Sequence, residues 1–339
     1  MSRPLFAGAI FLSAFLLFLV EPMAAKQLLP ILGGSAAVWI TCLVFFQTVL
    51  LVAYLYAHWL ARHPNRSLHL GLLAVAFVLS AVWVSGSGYS AHGTAQASGA
   101  AHPVTTIFLA LSVWIGLPFL LLGSTSPLLQ VWWARIEGKG IPYRLFALSN
   151  LGSLLALAAY PTLIEPNLTL QWQRGAWCCG FAVFAVLVAI LAMRTRREFG
   201  EVAPAAAQTE TEAPDAPLWH KLLWILLPMG ASMQLCAVTS YITANIAPIP
   251  LLWILPLGVY LISIILAFEF PRLVPRGILV RFLVVMLAGL AYMLSRIDRS
   301  VPIVIGISFF LVELLVAGLF CHVEAYALRP KRAAESTVF

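Results

Sequence analysis

Apolar runs of about 20 residues recur along this chain and constrain its fold more than any other feature. A helix needs about 20 apolar residues to cross the hydrocarbon core of a bilayer. Charged residues make up only 10% of the chain, against about 25% in soluble domains, so the excess apolar surface must face lipid. The sequence therefore predicts an all-α polytopic membrane protein with about ten transmembrane helices. The predicted spans are 5–30, 36–61, 68–86, 104–131, 144–164, 176–193, 219–242, 250–268, 278–295 and 301–321.

The positive charges divide unequally between the two sides of these spans. With the N-terminus placed in the cytoplasm, four of the 20 Lys and Arg residues fall in outer segments, namely Lys26, Arg174, Arg296 and Arg299. Short cytoplasmic loops carry the excess of Lys and Arg in membrane proteins. The pattern predicts that both termini are cytoplasmic, in a bacterial-type inner membrane. Because the charge lies in short loops between spans, it indicates membrane topology and no nucleic-acid partner.

One segment, 194–218, differs from the spans because it is charged and rich in Ala, Pro, Glu and Thr. Such a composition cannot pack a core and predicts a flexible cytoplasmic linker. The linker separates a first membrane half, 1–193, with six helices from a second, 219–339, with four. The second helix of each half has a Trp at its outer edge, a weak internal repeat of the kind found in transporters. A full repeat would need two more helices after the second half, so that half is predicted to be incomplete.

Several stretches resemble the membrane region of fused major-facilitator/spermidine-synthase proteins. They are EPMAAKQLLPILGGSAAVWITCLVFFQTVLLVAYLYAH, FALSNLGSLLALAAYPTLIEP, IAPIPLLWILPLGVYLISIILAF and CHVEAYALRP. The resemblance implies a major-facilitator-like arrangement of six and four helices. It also implies a cytoplasmic domain similar to polyamine aminopropyltransferases, which use decarboxylated S-adenosylmethionine. The chain is then either the N-terminal portion of a longer protein or a short member without that domain.

The residues of this chain argue against enzymatic chemistry within it. Its two aspartates, Asp215 and Asp298, lie in the linker and in an outer loop. A dinucleotide-type site needs a Gly-rich turn after a strand and an acidic residue about 20 positions later, and no stretch fits. The five cysteines show neither a CxxC pair nor metal-ligand spacing. The sequence predicts no enzyme activity, cofactor or metal in this chain, although a longer protein would carry the synthase-like domain.

Three glutamates in or beside the spans are the leading candidates for a binding site. Charged groups inside a membrane persist where they face protein or water, so each is a functional hypothesis. Glu21 and Glu165 each precede a proline near the outer side, and together would suit a cation such as a polyamine. Glu313 lies in the middle of the last span. A proton-coupling or cation-binding role and a neutral hydrogen bond to a neighbouring helix both remain open for Glu313.

Uncharged polar side chains in the spans are further candidates for the same site. Small and polar residues also hold transmembrane helices together, so packing is the competing interpretation. Lys26 is about 140° around the helix from Glu21, so we expect it to extend to the outer interface. Pro22 and Pro30 predict a bent or broken first helix. The additional substrate-binding candidates are Gln47, Ser126, Gln130, Asn150, Gln234 and Asn245.

Two functions fit these observations. The first is a transporter-like module that moves or channels a small cationic metabolite and is associated with a synthase-like domain. The second is a non-transporting membrane anchor, or a subunit of a larger membrane complex, whose polar residues only join helices. The inner loop ARHPNRS lacks the Gly-x-x-x-Asp-Arg pattern common in facilitators, which weakens the first. The two functions differ in whether Glu21, Glu165 and Glu313 converge on one cavity.

Overall fold

The chain folds entirely into helices over the part that the structure describes. A computed structural model describes residues 3–32, 36–85, 103–137, 144–212, 217–245, 252–272, 275–295 and 302–329. These ranges contain ten helices and no strand, which confirms the predicted all-α class.

The helices are numbered α1 to α10 in chain order. Two of them, α4 and α5, each contain one five-residue π-helical turn, at Ser112–Gly116 and Tyr160–Ile164. Their α-helical parts are Pro103–Leu111 and Leu117–Glu137 for α4, and Arg144–Ala159 and Glu165–Asn167 for α5. The others are α1 (Arg3–Leu32), α2 (Ala36–Arg62), α3 (Arg66–Ser85), α6 (Leu170–Glu212), α7 (Leu218–Asn245), α8 (Ile254–Glu269), α9 (Arg276–Ser295) and α10 (Ile303–Ala327).

Nine of the helices in the described residues are long and apolar enough to span a membrane. The remaining one, α8, has 16 residues, or about 24 Å of helix. Large apolar side chains stay exposed on the outside of the bundle, including Leu218 at 84% and Val304 at 74%. Such surface is unfavourable in water and suits contact with lipid, so the chain is a multi-pass membrane protein.

Two predicted helix boundaries differ from the structure. The backbone of α6 stays helical to Glu212, inside the segment 194–218 that was predicted as a linker. The reason is local, because the run AAAQTETE that ends α6 is rich in good helix formers. The first helix was predicted to be bent or broken, and a break is wrong, since α1 is continuous across Pro22 and Pro30. A proline removes one backbone hydrogen bond, and the hydrogen bonds of the turns on either side keep the helix continuous.

The two halves pack their first four helices in the same way. In the first half, α4 packs against α1, α2 and α3, and in the second half α10 packs against α7, α8 and α9. In addition, α5 and α6 cover α1 in the first half. The halves meet where α5 packs against α8, with the rings of Phe146 and Phe268 5.6 Å apart. This repeated packing agrees with the internal repeat expected from the sequence.

Candidate functional site

Glu21 lies on the packed face of α1 and yet keeps part of its surface exposed. Leu17, Ala24 and Leu28 share this face at helical spacing and are 6% exposed or less. Glu21 itself is half-buried. Within the described part of the chain it makes no hydrogen bond and no ion pair. A carboxylate inside the span, packed among apolar residues and without a protein partner, is the first element of the site.

The direction of Glu21 follows from two glycines that α1 approaches closely. A Cβ atom on Gly123 of α4 would lie 3.5 Å from Leu17 and 2.9 Å from Leu50 of α2. A Cβ atom on Gly152 of α5 would lie 2.7 Å from the carbonyl oxygen of Phe11. At about 100° per residue, Glu21 points between these two directions. Its side chain therefore points between the contact of α4 with α2 at Gly123 and helix α5.

Polar residues of α2 are the second element of the site. Gln47 and Tyr54, seven residues apart, share one face of α2, and both are exposed. Tyr54 and Tyr260 of α8 are close enough for their ionised forms to interact, which places Tyr54 near the second half. Gln47 lies one turn from Leu50 towards the connection of α1 with α2, as Glu21 does from Leu17, which places them at about the same depth. The structure thus brings these two candidates into the same region.

The second half contributes a polar cluster that the sequence reasoning missed. The hydroxyl of Tyr260 lies 3.3 Å from that of Ser232 in α7. Ser263 donates its hydroxyl to the backbone oxygen of Tyr260 (2.7 Å), and its oxygen lies 3.0 Å from Nδ1 of buried His322. Tyrosines are enriched at membrane interfaces. A tyrosine in the middle of a predicted span, such as Tyr260, was therefore a sequence signal for a polar site. We group Glu21, Gln47 and Tyr54 of the first half with Ser232 and Tyr260 of the second half as candidate residues of one site, and we call the space between them the central gap.

Glu165 lies apart from Glu21 and already has a cationic partner. Nζ of Lys26 donates to its Oε1 at 2.7 Å, joining α1 to the end of α5. The π-helical turn from Tyr160 to Ile164 inserts an extra residue before Glu165 and so changes its direction. Lys26 was expected to extend to the outer interface, and the pair with Glu165 is a contact that this expectation did not include. A cation bound at Glu165 would have to displace an ammonium group already in place.

Reversing the charge of Lys26 tests this ion pair. Lys26→Glu places two carboxylates together, and we expect a lower unfolding temperature in detergent because like charges repel. The double reversal with Glu165→Lys should restore most of the loss. Partly exposed pairs contribute about 0.2–1 kcal/mol, so the coupling should fall in that range. Equal unfolding temperatures for the single and double variants would contradict the pairing.

Glu313 also lies apart from the central gap. Gly318 of α10 faces α8, because a Cβ atom there would lie 2.7 Å from Oγ of Ser263. Glu313 is about 140° around the helix from Gly318. It is fully buried and accepts a hydrogen bond from Nε2 of Gln234 in α7. The three glutamates therefore occupy three separate places.

The remaining candidates are bonded mostly within their own helices. Nε2 of Gln130 donates to Oγ of Ser126 at 3.1 Å, and Gln130 is 2% exposed. Nδ2 of Asn150 donates to the backbone oxygen of Phe146 at 2.8 Å. These contacts suit helix packing, although Oε1 of Gln130 is buried and has no hydrogen-bond partner among the described residues. The side chain of Asn245 lies outside the described residues.

Across the described ranges, no group of three or more His, Cys, Asp or Glu side chains is placed to hold a metal ion. Comparison with known proteins adds no assignment. No protein-family model matches the chain, and no curated protein matches it.

Proposed function

We propose that this chain is a transporter-like membrane module that moves or channels a small cationic metabolite, such as a polyamine, through the central gap. The observation that carries the proposal is Glu21, a carboxylate inside the span that has no partner among the described residues. An ionised carboxylate in such a place is costly unless a cation approaches it. A mobile cationic solute would supply that charge.

The other side chains of the central gap fit the same class of ligand. The rings of Tyr54 and Tyr260 offer faces that attract ammonium groups. The amide of Gln47 and the hydroxyl of Ser232 supply acceptors for N–H donors. A polyamine carries both features, several positive charges and several N–H groups along an apolar chain. The proposal places the solute between the two halves, where transporters with internal repeats bind their substrates.

The topology and the partner domain belong to the same proposal. The charge distribution supports an inner-membrane orientation with both termini in the cytoplasm and with the six-plus-four facilitator-like arrangement. The resemblance of the quoted stretches supports association with a synthase-like domain. Such a domain would consume or release a polyamine at the cytoplasmic side of the same module.

A non-transporting scaffold is the second candidate. The three glutamates lie in separate places, which is the arrangement expected of a scaffold, and specific contacts also favour it. Glu165 is neutralised by Lys26, and Gln130 and Asn150 bond within their own helices. Side chains used in this way hold a bundle together without a substrate. The two candidate functions differ in the role of Glu21. In the transporter its carboxylate binds a cation, whereas in the scaffold it makes no contact that helix packing needs.

Uptake by proteoliposomes tests the transporter. We expect saturable uptake of labelled putrescine or spermidine by the reconstituted chain, which Glu21→Gln should lower about 10- to 100-fold. This range follows from a hydrogen bond to a charged group of about 1.5–3 kcal/mol, at about 1.4 kcal/mol per tenfold change. The matched control is Glu324→Gln, since Glu324 pairs with Arg276 away from the central gap.

Two outcomes would contradict the proposal. Absence of uptake above empty liposomes, with folding confirmed by circular dichroism, would favour the scaffold. Equal uptake by the wild type and by Glu21→Gln would show that any transport does not use this carboxylate.

A further inference from the structure

Glu313 is the most deeply buried carboxyl group among the described residues. It lies ten residues after the start of α10, about 15 Å along a helix of 25 residues. Its exposed fraction is 0%, and its neighbours Phe310 and Leu314 are 5% and 0% exposed. Glu313 therefore lies in the interior of a membrane span and out of contact with solvent in this conformation.

The hydrogen bonds of Glu313 are incomplete in either protonation state. Oε2 accepts from Nε2 of Gln234, whereas Oε1 is buried and has no hydrogen-bond partner in the structure. If the group is ionised, one neutral donor stabilises a full buried charge, which is insufficient. If it is protonated, the hydroxyl on Oε1 has no acceptor, which costs about 1–3 kcal/mol. Buried polar groups that serve only structure are normally satisfied.

No charged side chain of the described residues interacts with Glu313. The titratable groups of α7 near this depth are Cys236, which interacts with Tyr260 of α8, and Tyr241, whose ring lies 4.5 Å from that of Phe310, one turn from Glu313. From α9, Gly289 packs against Phe309, so apolar residues of α9 lie at the depth of Glu313. Arg281 lies eight residues before Gly289 in α9, away from this depth.

The titratable groups of α8 and α10 face elsewhere. Tyr260 of α8 contacts the ring of His322 with centroids 5.2 Å apart. His322 is nine residues beyond Glu313, which places it on the opposite face of α10. Within the described ranges, the carboxyl group therefore has no fixed cation and no second carboxyl group in its surroundings.

We propose that Glu313, held by Gln234, is an occluded proton-binding site. Uptake of one proton from water converts the carboxylate into the neutral acid at Oε1, and release restores the carboxylate, with no other bond changed. Because the group is fully buried, exchange requires α7 and α10 to separate. This site is distinct from the central gap, and the inference stands whether or not the gap binds a cation.

Infrared difference spectroscopy of the full chain in nanodiscs tests this proposal. We expect a C=O stretching band of a protonated carboxyl group that disappears as the pH is raised and shifts in D₂O. Glu313→Gln should abolish the band, while Glu21→Gln should retain it. Glu313→Asp keeps a carboxyl group and should keep a titrating band, so the proposal remains testable if the Gln variant does not fold.

Three results would overturn the proposal. A carboxyl band that Glu313→Gln removes but that never changes with pH would show a permanently neutral, structural acid. A spectrum without any band assigned to Glu313 would show a carboxylate ionised throughout. If sodium in place of N-methylglucamine removes the band at a lower pH, the site binds a metal cation in competition with the proton, and its assignment as a proton site would be wrong.

Discussion

Trp177→Ala is expected to lower the free energy of unfolding by about 3–5 kcal/mol, the usual cost of removing a large buried aromatic side chain. Trp177 of α6 is 2% exposed, and its Nε1 donates to the backbone oxygen of Leu16 in α1 at 2.8 Å. Its ring contacts those of Trp83 in α3 and Phe181, with centroids 5.8 and 5.5 Å apart. One side chain thus joins three helices of the first half.

The matched control for this substitution lies on the same helix. Trp172 is 73% exposed, and Trp172→Ala should change the free energy of unfolding by no more than about 0.5 kcal/mol. Titration with sodium dodecyl sulfate in mixed micelles, followed by circular dichroism, measures both variants. Similar losses for the two tryptophans would show that Trp177 does not join these helices as described.

Gly152→Ala should destabilise the contact between α1 and α5 by about 1–3 kcal/mol, the typical cost of overpacking. The new Cβ atom would lie 2.7 Å from the backbone oxygen of Phe11 and 3.3 Å from its ring. A backbone oxygen within a helix cannot move aside alone, so the two helices must separate. Because Glu21 faces the gap beside α5, the same substitution should also reduce any uptake that depends on Glu21.

Gly8→Ala in α1 is the control, because a Cβ atom there meets no other atom within 4 Å. Alanine favours helix over glycine by about 1 kcal/mol, so this variant should be neutral or more stable. The same detergent titration compares the two. A Gly152→Ala variant as stable as Gly8→Ala would mean that α1 and α5 are further apart than described.

Hydropathy located the helices because it acts over a local stretch of chain. Each of the ten predicted spans corresponds to a helix of the structure, although α8 is shorter than a full span. Helix propensity favours the extension of α6 to Glu212, whereas the charge and composition of the same segment favoured a linker.

The partners of the candidate residues were not readable in the same way. Lys26 and Glu165 are 139 positions apart. Their pairing depends on the π-helical turn before Glu165, and no pattern in the sequence predicted that turn. Tyr54 and Tyr260 became candidates only because the fold brings these two residues of different halves near each other.

The sequence by itself determined the membrane-embedded helical class and the positions of the carboxylates along the spans. The tertiary structure alone decided that Glu165 is paired, that Glu313 is fully buried beside Gln234, and that Glu21 has no partner among the described residues. The physical reason is that insertion of a helix into the membrane depends on the local composition of the chain. A side chain's partner depends instead on the depth and rotation of helices that are distant in the chain.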